Sequence, residues 1–262
     1  MPNAHNRLTA EELHASFTDL RREAHEVEPA SWWLNQSELT TLGYEVIVQE
    51  VADGLARRAG DHDPVLLDWG AGPGFTTFLL EQLGVSTVYY DFEHDYPSYR
   101  YVLSKLASPK VFMSDDPTVL PFDDRTFDGV LSCGVLEHVP QPEQSLHELY
   151  RVLRPGGQLF IYHFPNRYSY TEAIAGLIGQ SNHETRWSKG RMLRTLRETG
   201  FEVTWFQYRY MIPRNLIRFP RARRFFSEHA EGLYRFDRVL SRVPPVNVLA
   251  NALNCIARKP LD

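Results

Sequence analysis

The sequence predicts an α/β fold with a mostly parallel sheet, and three observations carry that expectation. Short apolar runs at Val65 to Asp68, Thr87 to Asp91, Lys110 to Met113, Gly129 to Cys133 and Gln158 to His163 alternate with helical patterns. Polar residues that suit chemistry fall at the carboxyl ends of those runs. The first run delivers Asp68 into a turn with glycine at alternate positions, Gly70, Gly72 and Gly74. Alternating strands and helices imply right-handed crossovers, with ligands bound beyond the carboxyl ends of the strands.

Taken in order, residues 1 to about 30 read as a mobile or helical leader, because Ala10 to Glu26 carries charge on most faces. Trp32-Trp33-Leu34-Asn35 opens a more apolar helical stretch that runs through Leu55, with Leu39, Leu42, Val46 and Val51 near helical spacing. The first strand and its glycine turn lead into a helix from Thr76 to Leu83. A second clear helical pattern, Gln144 to Leu153, precedes the fifth strand. Trp187 to Gly200 reads as a helix that stops at glycine. Phe201 to Tyr210 and Ala252 to Arg258 read as an antiparallel pair at the sheet edge. Between those two strands, about Ile212 to Val248 is too long for a hairpin loop and is expected to be helical. The expected organisation is one domain of 1–262: a helical cap over 1–57, a core over 58–166, and a substrate side over 167–262 that contains the insertion at 212–248.

Composition narrows the class. A chain of 262 residues with a formal net charge of -5 is not a globally basic nucleic-acid binder. Its two cysteines, Cys133 and Cys255, give neither a disulfide framework nor a zinc spacing, so a reducing cytoplasm is expected and no metal. Neither an apolar leader nor an uninterrupted apolar run of about 18 residues is present in the sequence, which predicts a soluble protein, with peripheral membrane contact left open.

The turn after the first strand identifies a ligand. Positive φ or close backbone approach needs glycine, and the helix that follows points its N-terminus at the site. A dinucleotide loop would need its third glycine at position 75, where this chain has Phe75. Asp68, two residues before the first glycine, suits a cationic amino group better than a pyrophosphate. Both features point to S-adenosylmethionine.

Four segments, at these intervals, complete the pattern: Asp68 to Phe75; Val88-Tyr89-Tyr90-Asp91; Leu120-Pro121-Phe122 through Phe127-Asp128-Gly129-Val130-Leu131; and Arg151-Val152-Leu153-Arg154-Pro155-Gly156-Gly157. Over Val65 to Asn166 the chain resembles the class I S-adenosylmethionine-dependent methyltransferases, in particular the group similar to ubiquinone and menaquinone biosynthesis methyltransferases. The resemblance implies a Rossmann-like sheet with an antiparallel last strand, N-terminal helices that cover the cofactor, and S-adenosyl-L-methionine as cofactor.

It also implies roles. Asp68 would stabilise the methionine end of the cofactor, with Gly70, Ala71, Gly72 and Gly74 giving backbone access, and Asp91 would accept from both ribose hydroxyls. At the adenine the chain departs from the family: Asp116 has the family spacing but is followed by Pro117, which has no N–H, while Asp115 with the N–H of Asp116 restores both bonds at a one-residue shift. Both stay open. Cys133 would offer its backbone carbonyl to the cofactor's ammonium, and His138 would line the methionine side, as a cofactor contact or a second catalytic candidate, or donate to a loop carbonyl. His163, closing the fifth strand, is the candidate general base for an oxygen nucleophile. Asn166, His183 and Trp33 are candidates for the acceptor side.

The insertion is unlike its surroundings. Nine arginines from Arg209 to Arg242 face only Glu228, Glu231 and Asp237, about +6 by difference. A solvated face, a lid that holds an anionic acceptor, and an amphipathic surface on anionic lipid all fit. The expected activity is methyl transfer to a small-molecule or glycan-like acceptor, at oxygen, with the acceptor anionic or lipid-linked and no nucleic acid involved. The rivals are a non-catalytic scaffold of the same fold, and an RNA or protein methyltransferase. No Asn-Pro-Pro-Tyr-like motif follows the fourth strand to favour the latter.

Overall fold

The first helix starts where Thr9 and Glu12 form a capping box: the Glu12 N–H donates to the Thr9 hydroxyl at 3.3 Å, and the Thr9 N–H donates to the Glu12 carboxylate at 2.8 Å. From there α1 runs Ala10–Val27 and buries Leu13, Phe17, Leu20 and Ala24, a stripe at helical spacing. The leader is thus a packed helix. Its charges flank a narrow seam, which a count of charged faces misses. The computed structural model describes residues 8–31, 34, 36–58, 62–92, 96–107, 110–114, 116, 118–177, 185–213 and 220–261.

Two compact units make up the chain, one from 1–115 with 214–231, the other from 116–213 with 232–262. In the first, β1 (Val65–Trp69), β2 (Ser86–Asp91) and β3 (Lys110–Met113) are parallel and ordered β3-β2-β1. The crossovers are α3 (Phe75–Gln82) and α4 (Pro97–Leu103). Helix α1 is pinned between α4 and α2 (Glu38–Ala56): Tyr101 donates to Glu23 at 2.6 Å, and His14 pairs with Glu45 at 2.8 Å. The Arg21 guanidinium donates to the Leu34 and Gln36 carbonyls, both at 3.2 Å, and to the Thr41 hydroxyl. Phe17, fully buried, sets its ring 5.0 Å from that of Phe75, the first residue of α3. Helix α8 (Pro220–Glu228) meets the start of α2, where the Glu38 N–H donates to Ser227.

In the second unit the order is β4-β5-β7-β6: β4 (Phe127–Cys133), β5 (Leu153–Pro165), β7 (Ala252–Arg258) and β6 (Glu202–Arg209). Strand β5 is parallel to β4, while β7 is antiparallel to both of its neighbours, so the expected antiparallel pair closes the edge with β6 outermost. Helices α5 (Pro142–Val152), α6 (Tyr170–Leu177), α7 (Lys189–Thr199) and α9 (Ala230–Leu240) complete it. Gly200 ends α7 in the left-handed conformation, as its position predicts. Phe127, Phe160, Tyr162, Phe164, Trp187 and Phe201 are among its largest fully buried side chains. The insertion is helical, through α8, α9 and a 3-10 turn at Val246–Leu249. Among the described residues no helix is long and apolar enough to cross a membrane.

Candidate functional site

In the first unit, candidate residues gather at the carboxyl ends of β1 and β2. The glycines take φ of 72° at Gly70, 53° at Gly72 and 82° at Gly74, a region that disfavours any side chain with a Cβ. Strand β2 holds the loop. The Gly70 and Ala71 N–H groups donate to the Tyr90 carbonyl at 2.8 and 3.1 Å, and the Tyr89 hydroxyl donates to the Gly72 carbonyl at 2.7 Å. The Gly72 N–H donates to Asp91 Oδ2 at 2.5 Å, while Asp91 Oδ1 accepts from the Phe92 N–H at 2.7 Å.

The glycines differ in what surrounds them. A Cβ at Gly72 would meet nothing within 4 Å, so the loop backbone borders open space there. A Cβ at Gly74 would sit 3.4 Å from Val102 and 3.7 Å from Tyr89, so Gly74 serves packing and the start of α3. Of these two, Gly72 has the free surface that a nucleoside ligand requires.

Asp68 is 1% exposed, and its Oδ2 accepts from the Thr76 and Thr77 hydroxyls at 2.6 and 2.7 Å. Burial raises its carboxyl to about 6 against the lowering effect of those two bonds. The acid thus latches the first turn of α3 to the end of β1, which fixes the loop between them.

In the second unit, β4, β5, β7 and the residue after β6 build another cluster. Tyr162 and His163 of β5 together oppose Asn254 alone, since the register shifts between Ile161, paired with Cys255, and Phe164, paired with Leu253. Such a bulge re-aims side chains. His163 takes φ of 64° and donates its backbone N–H to Asn254 Oδ1 at 3.1 Å. Its Nε2 lies 2.8 Å from the Tyr210 hydroxyl, with ring centroids 4.9 Å apart, and Tyr210 also has positive φ, at 68°. Non-glycine residues in that region cost about 1–3 kcal/mol each, and they cluster at functional sites. Cys133 Sγ stands 3.8 Å from His163 Nδ1. Asn254 is 1% exposed, and its Nδ2 has no hydrogen-bond partner among the described residues. An imidazole held this way can accept a proton, with the tyrosine hydroxyl fixing the ring.

The remaining candidates are placed as follows. His138 is exposed at 57% of its side chain, and its Nε2 is 3.8 Å from Glu137 Oε1, beyond hydrogen-bond range. Asp116 is exposed, and its Oδ1 accepts from both the N–H and the hydroxyl of Thr118 at 2.8 and 2.6 Å, which holds its carboxyl below the usual range. Asn166 is fully buried, and its amide donates to the Val248 and Ala250 carbonyls at 2.7 and 2.8 Å. Through these bonds Asn166 brackets the chain before β7. Trp33, Asp115 and His183 lie outside the described residues. Among the described residues no group of three or more His, Cys, Asp or Glu side chains could hold a metal ion.

Three participants escaped the sequence reading. Tyr89 had a signal, because residues two apart on a strand share a face and Tyr89 stands two before Asp91. Tyr210 and Asn254 had none, since only the pairing of β5, β7 and β6 brings them to His163.

Residues 67–161 match a protein family described as "Methyltransferase domain". The mitochondrial ubiquinone biosynthesis O-methyltransferase of Rattus norvegicus is 30% identical over 182 residues, covering 61% of this chain and 52% of that protein. Demethylmenaquinone methyltransferase of Renibacterium salmoninarum is 33% identical over 116 residues, 42% of this chain and 47% of that protein. The chain thus spans about half the length of the curated relatives it matches. Among solved structures, the 1,6-didemethyltoxoflavin-N1-methyltransferase of Burkholderia thailandensis, with 1,6-didemethyltoxoflavin and S-adenosylhomocysteine bound, matches at TM-score 0.51 and 18% identity. That match covers 95% of this chain and 87% of that one. The [4+2]-cyclase SpnF matches at TM-score 0.50 and 19% identity, covering 81% of each chain. These likenesses show a Rossmann-like class I methyltransferase fold.

Proposed function

We propose, from the premise that residues 67–161 form an S-adenosylmethionine-dependent methyltransferase domain, that the protein methylates an oxygen of a small-molecule or glycan-like acceptor. The observation that carries the choice of oxygen is the imidazole of His163, held 2.8 Å from the Tyr210 hydroxyl on a strained backbone at the end of β5. The name of the rat relative, an O-methyltransferase, supports the same choice.

When bound, the cofactor supplies a methyl group on a sulfonium, which is displaced in line and leaves a neutral thioether. The protein's work is then positioning, exclusion of water and removal of one proton. In this reading Gly72 lets the backbone approach the nucleoside. Asp91 accepts from the ribose hydroxyls with lone-pair directions beyond those that hold the Gly72 and Phe92 N–H groups. Asp68 keeps the loop and α3 in register. We assign the Cys133 carbonyl and His138 to the methionine end, and the adenine to the segment that contains Asp115 and Asp116. His163 takes the hydroxyl proton of the acceptor. Residues 1–57 cap this cofactor core of 58–166, residues 167–262 form the acceptor side, and a cytoplasmic location belongs to the same reading.

Replacing His163 by Ala tests this. Turnover should fall by about 100 to 10,000-fold, the range for loss of a general base, with cofactor affinity unchanged. Unchanged turnover across pH removes His163 from the mechanism. The match to a [4+2]-cyclase supports one second reading, a fold retained without methyl transfer. Cofactor that binds but is never consumed, with any acceptor offered, would favour it.

A further inference from the structure

We infer that the outward face of α9 and of the 3-10 turn after it, within 232–250, rests on an anionic lipid bilayer. The inference stands apart from the proposed chemical step, because it uses none of the individual side chains given a role in that step.

Helix α9 presents two faces. Ala230, Tyr234, Asp237 and Ser241 are buried at helical spacing, and the Asp237 carboxylate accepts the Ile212 N–H at 2.7 Å. The other face is apolar and open: Phe236 is 59% exposed and Val239 63%, followed by Val243 at 44%, Val246 at 41% and Leu249 at 46%. Single exposed apolar side chains are ordinary, but five large ones within one short segment mark an interaction surface.

Charge names the partner. The charged residues within 232–250 are Arg235, Asp237, Arg238 and Arg242, and the one acid among them is 3% exposed and committed to the backbone. With the exposed Glu231 at the start of α9 set against Arg235, Arg238 and Arg242, the outward face carries net positive charge interleaved with apolar side chains, the pattern of a helix lying in a headgroup plane. A second copy of the chain fits it poorly. A twofold contact would bring the arginines of one copy onto those of the other.

Vesicle flotation of the whole protein tests the inference, using phosphatidylcholine vesicles with and without phosphatidylserine. The protein should float with the anionic vesicles, and added salt should release it. Arg238→Gln with Arg242→Gln should weaken that binding roughly 25-fold, about fivefold per arginine near an anionic surface. Phe236→Ser with Val239→Ser should weaken it as well while leaving the melting curve in place, because both side chains are already in water. No flotation, or flotation unchanged in both double variants, overturns the inference. So does self-association that the Phe236→Ser, Val239→Ser variant abolishes, or retention on an acidic protein matrix without vesicle binding. Cofactor calorimetry on the same preparations separates the two proposals. Cofactor binding without flotation defeats only the surface, and flotation without cofactor binding defeats only the reaction.

Discussion

At the scale of residues, the loop between β1 and α3 is set by its neighbours' side chains as much as by its glycines. Asp91 holds Gly72 by its N–H and Tyr89 holds it by its carbonyl, so the glycine that borders open space is clamped from both sides. Asp91→Ala removes that clamp and the proposed ribose acceptor together. Cofactor binding should weaken by about 1.5–3 kcal/mol, the range for hydrogen bonds to charged groups. Calorimetry of the variant beside the wild type measures it, and an unchanged affinity would exclude the ribose role.

Asp68 gives a prediction in pH. Its carboxyl rises from 3.8 to about 6 on folding because the fold buries it. The folded state thus holds the proton more tightly than the unfolded chain, and this group's contribution to stability is full below about pH 4. It is lost as pH rises to about 6 and stays lost above. Two pKa units correspond to about 3 kcal/mol. Asp68→Asn can keep the bonds from Thr76 and Thr77 without carrying the charge, so the wild type should lose about 3 kcal/mol relative to the variant between pH 4 and pH 6.5. Denaturant titrations of the cofactor-free proteins would show it. A pH-independent difference would mean that Asp68 does not change its proton affinity on folding.

At the scale of elements, α1 is part of the site's support. Phe17 packs on Phe75, one residue past Gly74, so the helix read as a leader bears on the start of α3. Phe17→Ala should cost about 3–5 kcal/mol of stability, as buried aromatic truncations do. Cofactor affinity should fall with it, because α3 carries the end of the glycine loop. A variant as stable as the wild type in thermal melting would show that α1 is dispensable. In the loop before β4, the Arg151 guanidinium donates to the Leu120 and Phe122 carbonyls at 3.1 and 2.8 Å and pairs with Glu148 of its own helix. This explains how the Leu-Pro-Phe segment and the Arg-Val-Leu-Arg segment, 31 residues apart at their bonded ends, act as one structural feature.

At the scale of the whole molecule, legibility followed the range of the interactions. Strands β1, β2, β3 and β4 and the glycine turn were readable because apolar runs and φ requirements are local. The stripe of α1 was hidden because Leu13, Phe17, Leu20 and Ala24 form a narrow seam within a charged sequence. The cluster around His163 needed the bulge opposite Asn254 and the end of β6 at Tyr210, residues 91 and 47 positions away, which no window of sequence encodes. The bonds from Asn166 to the Val248 and Ala250 carbonyls likewise span more than 80 residues, beyond any local pattern.

The central claim is that this chain is an S-adenosylmethionine enzyme, and its most direct test is calorimetry of the wild type with S-adenosylmethionine, S-adenosylhomocysteine and NAD in the presence of a chelator. Saturable binding of both adenosyl ligands at one per chain, without response to NAD, is the predicted result. Binding of NAD in their place, or no binding of either adenosyl ligand by folded protein, would contradict it.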